Sequence, residues 1–229
     1  MKTMIRCLVL FVCFFASAHA LTKDSKVEEL KQKVYKTLST LEGWCSKEKA
    51  MYLIDLVVEN KPSVCVDIGT FGGSSLFPVA SALKFVGQGV VIGIDPWDKL
   101  ECIKHFDPIE NKTDIQWWGA LNLNNIHSSY LNMLRRFKLE PFCITIKATS
   151  EKAAAEITTI DLLHIDGNHA ELLMRRDVEL YLPKVSSGGY ILLNDSLWAS
   201  AQPAIEMLTE ACDVVKLLDN GNCIVFKKR

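Results

Sequence analysis

Val64–Cys65–Val66–Asp67–Ile68–Gly69–Thr70–Phe71–Gly72–Gly73–Ser74–Ser75 reads as an apolar strand carrying an acid, then a glycine-rich turn opening a helix. About one βαβ unit later, Ile92–Gly93–Ile94–Asp95 is a second strand that also ends in an acid. In an α/β sheet this pattern holds a nucleoside-bearing ligand. Glycines let the backbone approach it, and the acid after the second strand takes the ribose hydroxyls. The turn is Gly-x-x-Gly-Gly-Ser. It lacks the G-x-G-x-x-G spacing that seats a pyrophosphate on a helix N-terminus, which disfavours a nicotinamide dehydrogenase.

Working outward, the remaining strand candidates are Val90–Ile94, Cys143–Lys147, Ile160–Ile165, Tyr190–Leu193, Val214–Leu218 and Cys223–Phe226. Helical patterns separate all but the last two. Those two flank Asp219–Asn220–Gly221–Asn222, and Asn-Gly is a hairpin signal because both central residues must accept positive φ. The expectation is a single α/β, Rossmann-like, seven-stranded, mostly parallel sheet with helices on both faces and a C-terminal antiparallel hairpin. Before the sheet, Val27, Leu30, Val34, Leu38 and Leu41 recur at helical spacing, and Ser46 caps a second helix with Ala50, Leu53, Ile54 and Val57 on its apolar face. Residues 21–60 are thus N-terminal helices and 61–229 the sheet domain. Within that domain, 96–141 is a cap-like insertion rich in Trp, His, Tyr and Phe.

The first 20 residues stand apart. Lys2 and Arg6 precede the apolar run Cys7–Ala16, and Ala18–His19–Ala20 follows as an A-x-A site. The expectation is a signal peptide, making the protein secreted or periplasmic. An uncleaved anchor is the rival, and membrane contact would then run only through this segment. If the segment does not work as a signal, the protein is cytoplasmic.

At 229 residues with 49% apolar and 23% charged residues, the chain suits one domain with a full core. A net charge of −1 with no long basic run speaks against nucleic acid as a partner. Eight cysteines include no CxxC, and Cys65, Cys143 and Cys223 lie inside apolar runs, where cysteine behaves as a small buried hydrophobe. The amphipathic 23–41 helix could cover the domain's own flank or a second copy in a homo-oligomer.

The first run is similar to the opening cofactor motif of class I methyltransferases, and Ile94–Asp95–Pro96–Trp97 resembles their second. More narrowly, the ordered set resembles the methyltransferase family that includes cephalosporin-hydroxylase-like and macrocin-type O-methyltransferases. Its most recognisable stretch is Leu163–His164–Ile165–Asp166–Gly167–Asn168–His169, followed by Asp177, Gly188–Gly189 and Asn194–Asp195. The resemblance runs from Gly43 to Asp195 and implies S-adenosyl-L-methionine as cofactor and methylation of an oxygen on a small-molecule substrate. It places Asp67, Gly69, Thr70, Phe71, Gly72 and Ser74 at the cofactor's amino-acid end and ribose, and Asp95 on the ribose. Thr149 or Ser150 falls at the adenine, with Asp166 also in the cofactor set. Trp97 lies either against the adenine or within the cap.

Asp166 and Asp195 end neighbouring strands, where two carboxylates can share a hard cation such as Mg²⁺. A metal there would bind the substrate hydroxyl and lower its pKa. The metal-free alternative makes His169, beside Asp166, the general base. Ser196, which follows Asp195, is a poor third ligand. Other metal-dependent chemistry on this scaffold, or cofactor binding without catalysis, are the competing functions.

Overall fold

A computed structural model describes residues 24–229, so the signal or anchor segment expected at 1–20 lies outside the described residues. The seven strands are β1 (Val64–Ile68), β2 (Val90–Ile94), β3 (Cys143–Ile146), β4 (Ile160–Ile165), β5 (Val185–Asn194), β6 (Cys212–Leu218) and β7 (Cys223–Lys228). They form one sheet in the order β3-β2-β1-β4-β5-β7-β6. The first five pair in parallel, while β7 runs antiparallel to both β5 and β6. Strand order reverses at β1, and the carboxyl ends of β1 and β4 therefore open onto the crevice where such sheets bind ligands.

Period-2 alternation sends side chains to two separate cores. Cys65, Val91, Leu192 and Val225 face one, packed by α1 (24–38), α2 (Lys47–Asn60), α3 (Leu76–Val86) and α6 (Leu123–Phe137). Val66, Ile68, Ile94, Ile191, Leu193 and Phe226 face the other, packed by α7 (Ser150–Ala153), α8 (Glu171–Tyr181) and α9 (Gln202–Ala211). Each fully buried Leu, Ile or Val contributes about 1.5–3 kcal/mol. Ser46 caps α2 as expected, its Oγ accepting from Lys49 N at 2.9 Å.

Residues 96–141 divide. Short α4 (Lys99–Cys102) and α5 (Lys112–Ala120) stand over the strand ends, but α6 joins the helix layer. Its buried Leu123, Ile126, Tyr130, Met133 and Leu134 lie on one face and meet the first core, and Phe137 packs edge-on against Phe77. Only the first half of the expected cap is therefore a cap. The closing hairpin has the expected loop, with both central residues at positive φ. Leu218 pairs with Cys223, leaving four loop residues, of which Asp219, Asn220 and Gly221 all have positive φ. This loop is tethered at the site, since Asn222 donates to Asp195 and Ser196 to the carbonyl of Gly221.

Among the described residues no helix is long and apolar enough to cross a membrane, and six cysteines, including Cys45, Cys65 and Cys223, are free thiols.

Candidate active site

The turn after β1 is built around Gly69. Its N–H donates to the carbonyl of Ile94 at 2.9 Å, and its φ is +83°. A Cβ there would stand 1.9 Å from the carbonyl oxygen of Asp166, so only glycine lets the β1 and β4 termini close on one another. Phe71 follows with φ 47°, held by its N–H donating to Asp95 Oδ2 at 2.9 Å. Asp95 Oδ1 accepts from Trp97 N at 2.7 Å. Burial pushes the Asp95 carboxyl up to about 6, against the pull of those two amides. The carboxyl at the end of β2 thus fixes the glycine turn, and each of its oxygens keeps a second lone pair.

A cavity of about 860 Å³ opens above these strand ends, within the range of small-molecule sites. Gly69, Thr70, Phe71, Ser74 and Asp95 line one side, with Thr149 and Ser150 beyond them. Thr149 caps α7 through Lys152 N, and Ser150 donates to the buried carboxyl of Asp177 on α8. Burial pushes Asp177 up to about 7, partly offset by Ser150.

Next to the turn, past the ends of β4 and β5, Asp166, His169 and Asp195 converge, with potential ligand atoms within 4.8 Å of one another. Asp195 has φ 52° and accepts from Asn222 Nδ2 and Asn194 Nδ2, both at 3.0 Å. Asn194 Nδ2 also donates to Asp166 Oδ1 at 3.1 Å, bridging the two carboxylates. His169 Nε2 stands 2.9 Å from Asp195 Oδ2, yet it is a buried atom without an aligned hydrogen bond. Burial works to raise Asp195, but His169 first, then Asn222 and Asn194, hold it below the usual carboxylate range. Burial works to lower His169, and Asp195 overcomes that and raises it.

The two carboxylates suit a hard cation, and His169 adds a nitrogen donor softer than the oxygens Mg²⁺ prefers. His169 would offer the third ligand atom, since Ser196 is turned away to Gly221.

Not every residue expected at the site reaches it. Asp67 lies below the turn, with Oδ1 2.7 Å from His164 Nδ1 and 3.0 Å from Ser75 Oγ. Gly72 packs on Glu42. Trp97 is buried in the first core against the α6 part of the 96–141 segment, stacked on Tyr130 at 5.6 Å, its Nε1 donating to the Phe71 carbonyl. Of the two positions open for Trp97, the structure has the one packed within 96–141. None of these three lines the cavity.

Two features went unread in the sequence. Lys49, 2% exposed, sends its ammonium from α2 to within 3.7 Å of Asp166 Oδ2. Burial would strip its proton, but Asp166 above all raises it beyond the ordinary lysine value. The legible signal was that Lys49 continues the apolar stripe of Leu53 and Val57 at spacing four. The other is Trp44, which completes an aromatic wall by stacking on Phe71 at 5.7 Å and meeting Trp117 of the expected cap at 5.3 Å. Trp198 lies 4.7 Å from the His169 ring.

Comparison with known proteins adds the following. A model of a methyltransferase-domain family matches residues 66–196. An uncharacterized protein of Acanthamoeba polyphaga mimivirus is 31% identical over 130 residues, covering 57% of this chain and 50% of that protein. The chain thus spans about half the length of this curated relative. The O-methyltransferase NovP superposes with a TM-score of 0.61 at 13% identity, over 89% of this chain and 79% of that one. A putative caffeoyl-CoA O-methyltransferase from Staphylococcus aureus gives 0.60 at 14%, over 89% and 92%. A Podospora anserina methyltransferase, solved with SAH bound, gives 0.59 at 11%, over 92% and 95%. At these identities the structural likeness is one of fold.

Proposed function

The chain belongs to the methyltransferase-domain family, and from that premise we propose that it transfers the methyl group of S-adenosyl-L-methionine to an oxygen of a small molecule. The observation that carries this reading is the convergence of Asp166, His169 and Asp195 beside the Gly69–Ser74 turn in one cavity. The turn would carry the donor's amino-acid end and ribose, with Asp95 offering its free lone pairs to the ribose hydroxyls. Thr149 and Ser150 would stand at the adenine. Because the sulfonium is already activated, alignment of an in-line attack supplies much of the rate. His169 takes the acceptor's proton, and Asp195 stabilises the imidazolium that forms.

The triad supports a second reading of the acceptor half. Asp166, His169 and Asp195 would hold Mg²⁺, which when bound polarises a hydroxyl oxygen and lowers its pKa. His169 would then be a ligand and no longer a base. The structural neighbours titled O-methyltransferases favour oxygen as the atom methylated.

Calorimetric titration with S-adenosylmethionine, S-adenosylhomocysteine and NAD, with and without Mg²⁺, tests these readings. Both sulfur nucleosides should bind and NAD should not. Failure of both nucleosides overturns the methyltransferase reading, and affinity for Mg²⁺ that vanishes in Asp195→Asn supports the cation.

A further inference from the structure

The acceptor half of the cavity contains a positive charge belonging to the chain itself. Lys49 Nζ donates to Asn194 Oδ1 at 2.8 Å, and Asp166 Oδ2, at 3.7 Å, is beyond hydrogen-bond range. An ammonium has three donors, so two have no hydrogen-bond acceptor among the described residues. Leaving buried donors unmade is costly, and the open space beside them is the cavity that Lys49 lines.

The ammonium is also held in place. Ser46, which caps α2 through Lys49 N, donates to Asp219, and Glu48 accepts from Asp219 N at 3.0 Å. These bonds pin the first turn of α2 to the β6–β7 loop, fixing the backbone from which the buried Lys49 side chain reaches Asn194. Helix α2 precedes the family-matched residues 66–196.

Resting on the O-methyltransferase reading, we propose that Lys49 is a further catalytic residue whose ammonium holds the acceptor oxygen as that oxygen ionises. Two preorganised N–H groups aimed at a developing anion, inside a partly desolvated site, stabilise it more than water does. The acceptor's O–H proton passes to the His169 imidazole, whose Nε2 faces Asp195. The oxygen's electron pair forms the new O–CH₃ bond, and the S–CH₃ bond breaks with its pair remaining on sulfur as a thioether. Lys49 keeps its protons throughout. The aromatic wall of Trp44, Phe71, Trp117 and Trp198 suits an acceptor with a flat ring.

The probe is para-nitrophenol, whose ionised form absorbs visible light. It is titrated with pH against the full chain saturated with S-adenosylhomocysteine, in EDTA so that no metal contributes. Bound probe should ionise at least tenfold more readily than free probe, a shift of about one pKa unit. Lys49→Met should abolish the shift and Lys49→Arg retain most of it. Lys49→Gln, which keeps a donor for Asn194, carries the same expectation as Lys49→Met if the latter does not fold. An undiminished shift in the folded neutral variant, or no probe binding to the wild-type chain, overturns the role of Lys49 and leaves the donor site standing. Failure of S-adenosylhomocysteine to bind the wild-type chain overturns the methyltransferase reading, and this proposal with it.

Discussion

Asp67 and His164 form a buried pair beneath the glycine turn, Oδ1 to Nδ1 at 2.7 Å, with each side chain 3% exposed. His164 Nε2, on the far side of the ring, lies 3.8 Å from Asp166 Oδ2. The acid of β1 therefore braces the floor of the site through the neighbouring strand. Breaking a buried charged hydrogen bond costs about 1.5–3 kcal/mol. Asp67→Asn should lower stability by roughly that amount in denaturant titration, while calorimetry finds S-adenosylhomocysteine affinity changed less than about threefold. A large loss of affinity at unchanged stability would return Asp67 to the cofactor.

Gly69 and Gly87 both have positive φ, but only Gly69 faces a collision. An added Cβ meets the Asp166 carbonyl at 1.9 Å, whereas at Gly87 nothing lies within 4 Å. Gly87→Ala should cost about 1 kcal/mol, the ordinary penalty of a left-handed residue. Gly69→Ala must also push β1 from β4, so thermal melting should show a several-fold larger loss, and nucleoside binding should disappear.

His169→Gln and Asp195→Asn should each lower kcat by about 10²–10⁴, the range of a lost general base or its partner. S-adenosylhomocysteine affinity should stay within a few-fold, because both residues stand on the acceptor side. Equal losses of kcat and nucleoside affinity would place them in the donor site.

Asp177 makes stability depend on pH with a definite sign. Its carboxyl titrates near 3.8 when exposed and at about 7 in the fold. Below about pH 4 both states carry the proton and nothing is lost. As pH rises the unfolded chain ionises first, so stability falls until about pH 7 and then levels. Asp95, pushed up to about 6, acts in the same direction. Asp195, held low, acts oppositely but only below the usual carboxylate range. Asp177→Asn, which keeps an acceptor for Ser150, should raise stability at pH 8 by on the order of 2 kcal/mol and flatten the pH profile of melting. No gain at pH 8 would count against the burial of that charge.

Much of the sheet was legible because its strands are short apolar runs bounded by turn residues. Val64–Ile68, Val90–Ile94 and Ile160–Ile165 appear with the expected ends. β5 extends back to Val185 through Gly188 and Gly189, since glycines mask a strand that pairing imposes. α6 was assigned to the cap because aromatic content outweighed its helical apolar stripe. At the site, strand-end acids were visible as types, but their partners were not. Asp67 looked available because His164, 97 residues away, becomes its neighbour only when β1 pairs with β4. Lys49 was hidden for a related reason: a lysine after a helix cap ordinarily points to water, and only the tethered β6–β7 loop and Asn194 give it a buried place.

The lining of the cavity comes from different stretches of the chain. The turn at Gly69–Ser74 and the acid at Asp95 sit within the sheet, whereas Gly43, Trp44 and Lys49 arrive from the segment before it. The segment before the sheet completes a cavity whose acids and imidazole come from the strand ends, with Gly43 and Trp44 resting on Ser74 and Phe71 of the turn. Exchanging residues 43–49 between relatives would therefore reshape both the acceptor's surroundings and the outer wall of the turn.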